Sequence, residues 1–61
     1  MDLFTLKPGD NVRTIDDNIA VVVAATEDGE WIKVRYLKSE ENPNLIDTED
    51  LCSEDELLER V

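Results

Sequence analysis

The chain has 61 residues, sixteen Asp and Glu against six Lys and Arg, no histidine, and a formal charge of −10. A chain this short makes one domain, residues 1–61, and buries only roughly 60% of the surface its unfolded form exposes, which excludes a deep cofactor pocket beside the core. The missing histidine removes the usual neutral-pH general base and the commonest zinc ligand, and the negative field opposes phosphate, so an enzyme and a direct nucleic-acid binder are both disfavoured.

Residues 1–6 contain Leu3, Phe4 and Leu6, which suit an entry strand or a turn packed on the core. Pro8-Gly9 marks a turn, with Pro preset for the corner and Gly free to take φ > 0. Residues 11–15 predict a first strand with Val12 and Thr14 inward, and Asp16-Asp17-Asn18 a loop or tight turn.

Residues 19–26 are an apolar run, residues 31–37 alternate, and Asp28-Gly29 lies between them, which together spell a β-hairpin. A two-residue turn pairs Glu27 with Glu30 and sets Ala25 opposite Ile32, Val23 opposite Val34 and Val21 opposite Tyr36. Those last six side chains share the core face. Trp31, Lys33 and Arg35 fall on the other, and a one-residue slip would bury both cations. Trp31 then either folds over the end of the sheet or anchors a partner.

Residues 40–44, with Pro43, predict a loop, residues 45–47 a short fourth strand, and residues 48–51 a single helical turn. Ser53-Glu54-Asp55-Glu56 fits a capping box, followed by Leu57, Leu58 and Val61 on one stripe. The expectation is a short acidic C-terminal helix over residues 54–60, docked on the rest of the domain because seven residues are not helical alone.

The layout resembles the SH3-like small β-barrels, which include Tudor and KOW modules. The matching pieces are Pro8-Gly9-Asp10-Asn11-Val12, Ala20-Val21-Val22-Val23, Trp31-Ile32-Lys33-Val34-Arg35-Tyr36 and Glu49-Asp50-Leu51. The resemblance implies a mainly β fold, a small barrel of about five strands over residues 7–51, with Leu51 closing it. It does not imply one function. Tudor aromatic cages need aromatics on one face, and here Trp31 and Tyr36 fall on opposite faces. KOW modules use basic residues, and this chain is acidic. Small photosystem and reductase subunits are also similar to this barrel and end near Asp-Glu-Leu, as Asp55-Glu56-Leu57 does here. Plasmid-type dihydrofolate reductases use a similar barrel, but their Val-Gln-Ile-Tyr strand is absent.

The charge is uneven. Residues 1–38 carry seven acids and five bases, a net of −2; residues 39–61 carry nine acids and one base, a net of −8. That acidic third is either a solubilising face or a surface for a basic protein partner. The candidate partner-binding residues are Trp31 with Glu40, Glu41, Asp47 and Glu49, and then Asp50, Glu54 and Asp55. Crowding of like charges there is expected to raise carboxylate pKa values. The leading expectation is a non-enzymatic interaction module or accessory subunit. The alternatives are a nucleic-acid mimic that blocks a DNA- or RNA-binding protein, of the phage or mobile-element type, and a small subunit of an oligomeric or photosynthetic/redox complex.

No catalytic residue, metal ligand or cofactor site is expected. Asp16/Asp17 and Glu40/Glu41 are adjacent loop carboxylates better suited to solvent than to acid–base work. Cys52 is the single cysteine and reads as a small apolar residue. With no disulfide, no apolar stretch of membrane length and no basic leader, the expected compartment is the cytoplasm, away from membranes.

Overall fold

A computed structural model of the chain describes residues 5–25 and 29–61. It is a single antiparallel sheet of five strands: β1 (Asn11–Thr14), β2 (Ile19–Ala25), β3 (Trp31–Lys38), β4 (Glu49–Ser53) and β5 (Leu57–Arg60). The strand order across the sheet is β4-β3-β2-β1-β5.

The two edge strands are consecutive in sequence, joined only by a 3-10 turn at Glu54–Glu56. On a flat sheet, four strand spacings would separate them by about 19 Å sideways. Ser53 sits opposite Trp31, at the Ala25 end of β2, while Leu57 sits opposite Thr14, at the Ile19 end. That adds about 20 Å along the strands. Four backbone steps reach at most about 14 Å, so the sheet must both curl and twist, its tilted strands taking up the offset along them, until its edges approach. The overall extents of 30 × 17 × 16 Å, with two nearly equal short axes, fit a curled sheet. The curl stops short of the expected barrel: β4 and β5 do not pair, and the sheet is open. Residues 54–56 cross the gap instead of extending either edge.

The core is Leu6, Val12, Ala20, Val22 and Ile32, with Val34, Tyr36, Cys52 and Leu57, and Leu45 packs against it. The expected inward Val12 and Thr14 are both buried, as are the β3 residues Ile32, Val34 and Tyr36, while Lys33 and Arg35 are exposed. The face of β2 is corrected. Near the turn the pairing is as expected, with Ala25 opposite Ile32 and Ala24 opposite Lys33. A bulge at Val23 then shifts the register, so Val22 faces Val34 and Ala20 faces Tyr36. Val21 and Val23 are therefore only half-buried. β2 is apolar on both faces, so nothing in its own pattern resists one inserted residue. Gly29 holds φ 70, as an Asp-Gly turn requires; the Glu27–Glu30 pair and the first residues of the chain lie outside the described residues.

The third part of the chain differs most from expectation. Residues 45–47 are not a strand: Pro43–Leu45 form a 3-10 turn, followed by a tight turn closed by Thr48 N–H on Leu45 O at 2.9 Å. Strand β4 begins where a helical turn was expected. Its pairs Ile32–Cys52 and Val34–Asp50 turn Cys52 inward and Leu51 outward, so Cys52 fills the core position expected of Leu51.

The C-terminal helix is absent. Glu56 Oε1 does accept from the Ser53 N–H at 3.4 Å and from Ser53 Oγ at 3.2 Å. Leu57 then turns extended, with φ −111 and ψ 130, pairs with Thr14 and is buried. Pairing on β1 satisfies backbone groups that a single short helix would leave open, and it avoids the cost of helix nucleation.

Candidate functional site

The acidic third is not a separate arm. It supplies two edge strands and the turns between them, and this divides its carboxylates into two groups.

The first group has side-chain partners, and for Glu49 and Glu59 these are cations across a strand pair. Glu49 lies opposite Arg35 and meets Arg35 Nη2 at 3.0 Å and Lys33 Nζ at 3.3 Å. Hydrogen bonding from Arg35 first, then from Lys33, holds its carboxyl below the ordinary value, opposite to the rise expected from crowding. Glu59 lies opposite Arg13 and pairs with its guanidinium; Glu59 is the main reason that the Arg13 pKa is raised. Asp50 Oδ2 accepts from the Tyr36 hydroxyl at 3.3 Å. Glu40 meets Lys38 at 3.7 Å.

The second group has no ion pair among the described residues. It comprises Glu41, Asp47, Glu54 and Asp55, all exposed, together with Asp16 in the β1–β2 turn. That turn is a three-residue hairpin loop: Thr14 N–H bonds Asn18 O at 2.9 Å and Asp17 N–H bonds Thr14 O at 3.0 Å. Its third loop residue, Asp17, takes the left-handed φ of 62 that such loops need. The turn borders both acidic segments. Asp16 shares a small recess with Glu41, and its neighbour Ile15 donates its N–H to Glu56 O at 2.9 Å. One end of the molecule thus gathers Asp16, Glu41 and the Glu54–Glu56 turn.

The recess holds about 190 Å³ and is lined by Asp16, Asn18, Ser39, Glu41, Asn42 and Leu45. Three buried polar residues, Thr14, Asn18 and Ser39, sit beneath this end. Thr14 Oγ1 accepts from the Asn18 N–H at 3.3 Å, and Ser39 Oγ accepts from the Asn42 N–H at 3.2 Å.

Of the expected partner residues, this end collects Glu41, Glu54 and Asp55, with Glu40 at its margin. Trp31 lies on β3 opposite Ser53, the residue before the Glu54–Glu56 turn, and Glu49 and Asp50 lie on β4. Trp31 is 41% exposed on the outer face of β3, with Ser53 opposite and Leu51 diagonal to it. Asp47 sits in the turn before β4 with φ 69. Sequence reasoning missed Asn18, Ser39 and Asn42. The available signal was a repeated acid-acid-Asn triplet, Asp16-Asp17-Asn18 and Glu40-Glu41-Asn42, whose two copies meet at the recess.

Cys52 is 1% exposed, and burial, followed by the nearby Glu56 carboxylate, pushes its thiol up to about 11. It is a core residue and a poor nucleophile. Among the described residues, no three His, Cys, Asp or Glu side chains group to hold a metal ion, and no helix is long and apolar enough to cross a membrane. No family model, curated protein or solved structure matches the chain.

Proposed function

We propose that the chain is a non-enzymatic interaction module whose acidic end binds a basic protein. The observation that carries this reading is the partition of charge. Five of the six cations are held in ion pairs with acids: Arg13, Lys33, Arg35, Lys38 and Arg60. Of the described carboxylates without an ion pair, Asp16 and Glu41 share a recess, and Glu54 and Asp55 lie in the turn that bonds the same hairpin loop through Ile15 N–H and Glu56 O. Such a field attracts a basic partner over a long range and repels phosphate. The buried thiol, the exposed carboxylates and the absence of histidine from the chain all argue against catalysis.

The test is chromatography of a host extract on the immobilised protein, beside a variant carrying Asp16→Lys, Glu41→Lys, Glu54→Lys and Asp55→Lys. A partner that the wild type retains at low salt, releases at high salt and the variant fails to hold supports the reading. Retention that ignores salt and the reversals overturns it. Displacement of that partner by added duplex DNA or RNA would identify the module as a nucleic-acid mimic. Sedimentation of the chain as a defined oligomer with the acidic end covered would favour the oligomeric-complex reading.

A further inference from the structure

We infer that the recess between the β1–β2 turn and the loop after β3 is a receptor pocket for one arginine side chain of the basic partner. This rests on the proposed function and gives it a specific contact.

Four observations converge on a guanidinium. First, the recess carries two carboxylates, Asp16 and Glu41, neither of which has an ion pair among the described residues. Second, Asn18 is 5% exposed and lines the recess. Its backbone N–H and C=O both bond to Thr14, yet its side-chain amide has no hydrogen bond among the described residues. Among the described residues Arg13 Nε is the one buried side-chain N or O atom without a partner, so the Asn18 amide is not sealed in the core; it opens on the recess it lines, where a partner would sit. Third, the other polar residues of the lining, Ser39 and Asn42, are of types that carry a side-chain acceptor. Fourth, at about 190 Å³ the recess is smaller than the roughly 300–1,000 Å³ of a typical small-molecule site. It suits a single side chain.

Arginine fits this wall better than lysine. Its planar fork offers five N–H donors to carboxylates and amide oxygens spread around a rim, and it sheds water more readily than an ammonium. Leu45 supplies an apolar surface for the flat guanidinium face or the stem above it. A divalent cation would need more anionic oxygens than the two carboxylates provide.

The experiment titrates the whole protein with acetyl-Gly-Arg-Gly-amide and, separately, with the lysine counterpart, and follows backbone and side-chain amide resonances by NMR. The arginine peptide is expected to shift the Asn18 and Asn42 side-chain amides, and to bind several-fold more tightly than the lysine peptide. Glu41→Gln and Asp16→Asn, both at exposed positions, are expected to weaken it by about three- to tenfold each. Glu54→Gln with Asp55→Asn is expected to leave those shifts in place. If basic peptides bind with shifts elsewhere on the acidic end and none at Asn18, the pocket is overturned while the acidic-surface reading stands. If no basic peptide binds, both fall. A larger Asn18 shift with calcium than with either peptide would overturn the arginine assignment.

Discussion

The acids of the two edge strands and the acids of the turns come from the same stretch of sequence and have opposite fates. Glu49 and Glu59 each lie directly across a strand pair from an arginine, Arg35 and Arg13. Antiparallel pairing sets opposed side chains about 4.5–5.5 Å apart, so register alone delivers the cation. Glu41, Glu54 and Asp55 occupy turns, where no opposed position exists. Part of the formal charge of −10 is therefore absorbed at Glu49 and Glu59, where the strands pair, and left standing at Glu41, Glu54 and Asp55 in the turns. Composition predicts the sum of a field, but topology decides where it acts.

The largest test of this division uses two isoleucines. Ile32 lies fully buried in β3 and Ile15 is 55% exposed in the β1–β2 turn. Ile32→Ala is expected to cost about 2–4 kcal/mol, whereas Ile15→Ala should change stability by no more than about 0.5 kcal/mol. A domain of this size has only about 3–9 kcal/mol to lose, so Ile32→Ala should leave a large unfolded fraction in a urea titration. Equal losses at the two sites would show that the turn region is as much a part of the core as the strands.

A second test separates the regions by pH. Burial raises the pKa of Cys52 to about 11 and also raises that of Tyr36, where the negative charges of the Cys52 thiolate and the Asp50 carboxylate add to burial. A folded pKa above the unfolded one means that the folded state holds its proton longer. The stabilisation is complete below about pH 9 and is lost as pH rises toward 11. Urea midpoints should fall over that range, and Cys52→Ala should flatten the fall. A midpoint constant from pH 8 to 11 would contradict the buried strand core.

The turns have their own signature in backbone conformation. Gly9 holds φ 98 with no atom within 4 Å of an added Cβ, so Gly9→Ala pays only for conformation, about 1–2 kcal/mol. Asp47 holds φ 69 in a turn whose preceding residue, Ile46, has φ −57 and ψ 132, the pattern that favours glycine in third place. Asp47→Gly should gain about 0.5–1 kcal/mol. Thermal melts with opposite signs at the two positions confirm the turn types; a loss at Asp47 would mean that its carboxylate has a structural role.

These particulars also show what the sequence made legible. β3 was readable in full because its alternation opposes Ile32, Val34 and Tyr36 to Lys33 and Arg35, and only one face can be buried. β2 was not, because Ala20 to Val23 is apolar on both faces and a bulge costs it no charge burial. The Ser53–Glu56 contacts were readable as local chemistry, but they nucleate one turn and not a helix. The free edge of β1 offers residues 57–60 a better-paired alternative, and that is a tertiary fact. The recess escaped for a similar reason: its two acid-acid-Asn triplets lie more than twenty residues apart and meet only through the β2–β3 pairing.

The smallest expected effect bears most directly on the two fates of charge. Arg35 and Lys33 hold the Glu49 carboxyl below its ordinary value, so its ionised form stabilises the fold. That contribution is present above the unfolded pKa and lost as pH falls through the lower folded one. Glu49→Gln should therefore lower the melting temperature slightly at pH 7, and the difference should close as pH drops below about 4. Glu54→Gln removes a carboxylate with no ion pair among the described residues from a strongly negative chain. It should raise the melting temperature or leave it unchanged at low salt, and the gain should vanish in about 0.5 M salt as the like-charge repulsion is screened. Both effects are small because exposed ion pairs contribute little, so it is the opposite signs that carry the test. Two losses of equal size would place Glu54 among the neutralised acids and leave the acidic end without the unpaired charge that its proposed role requires.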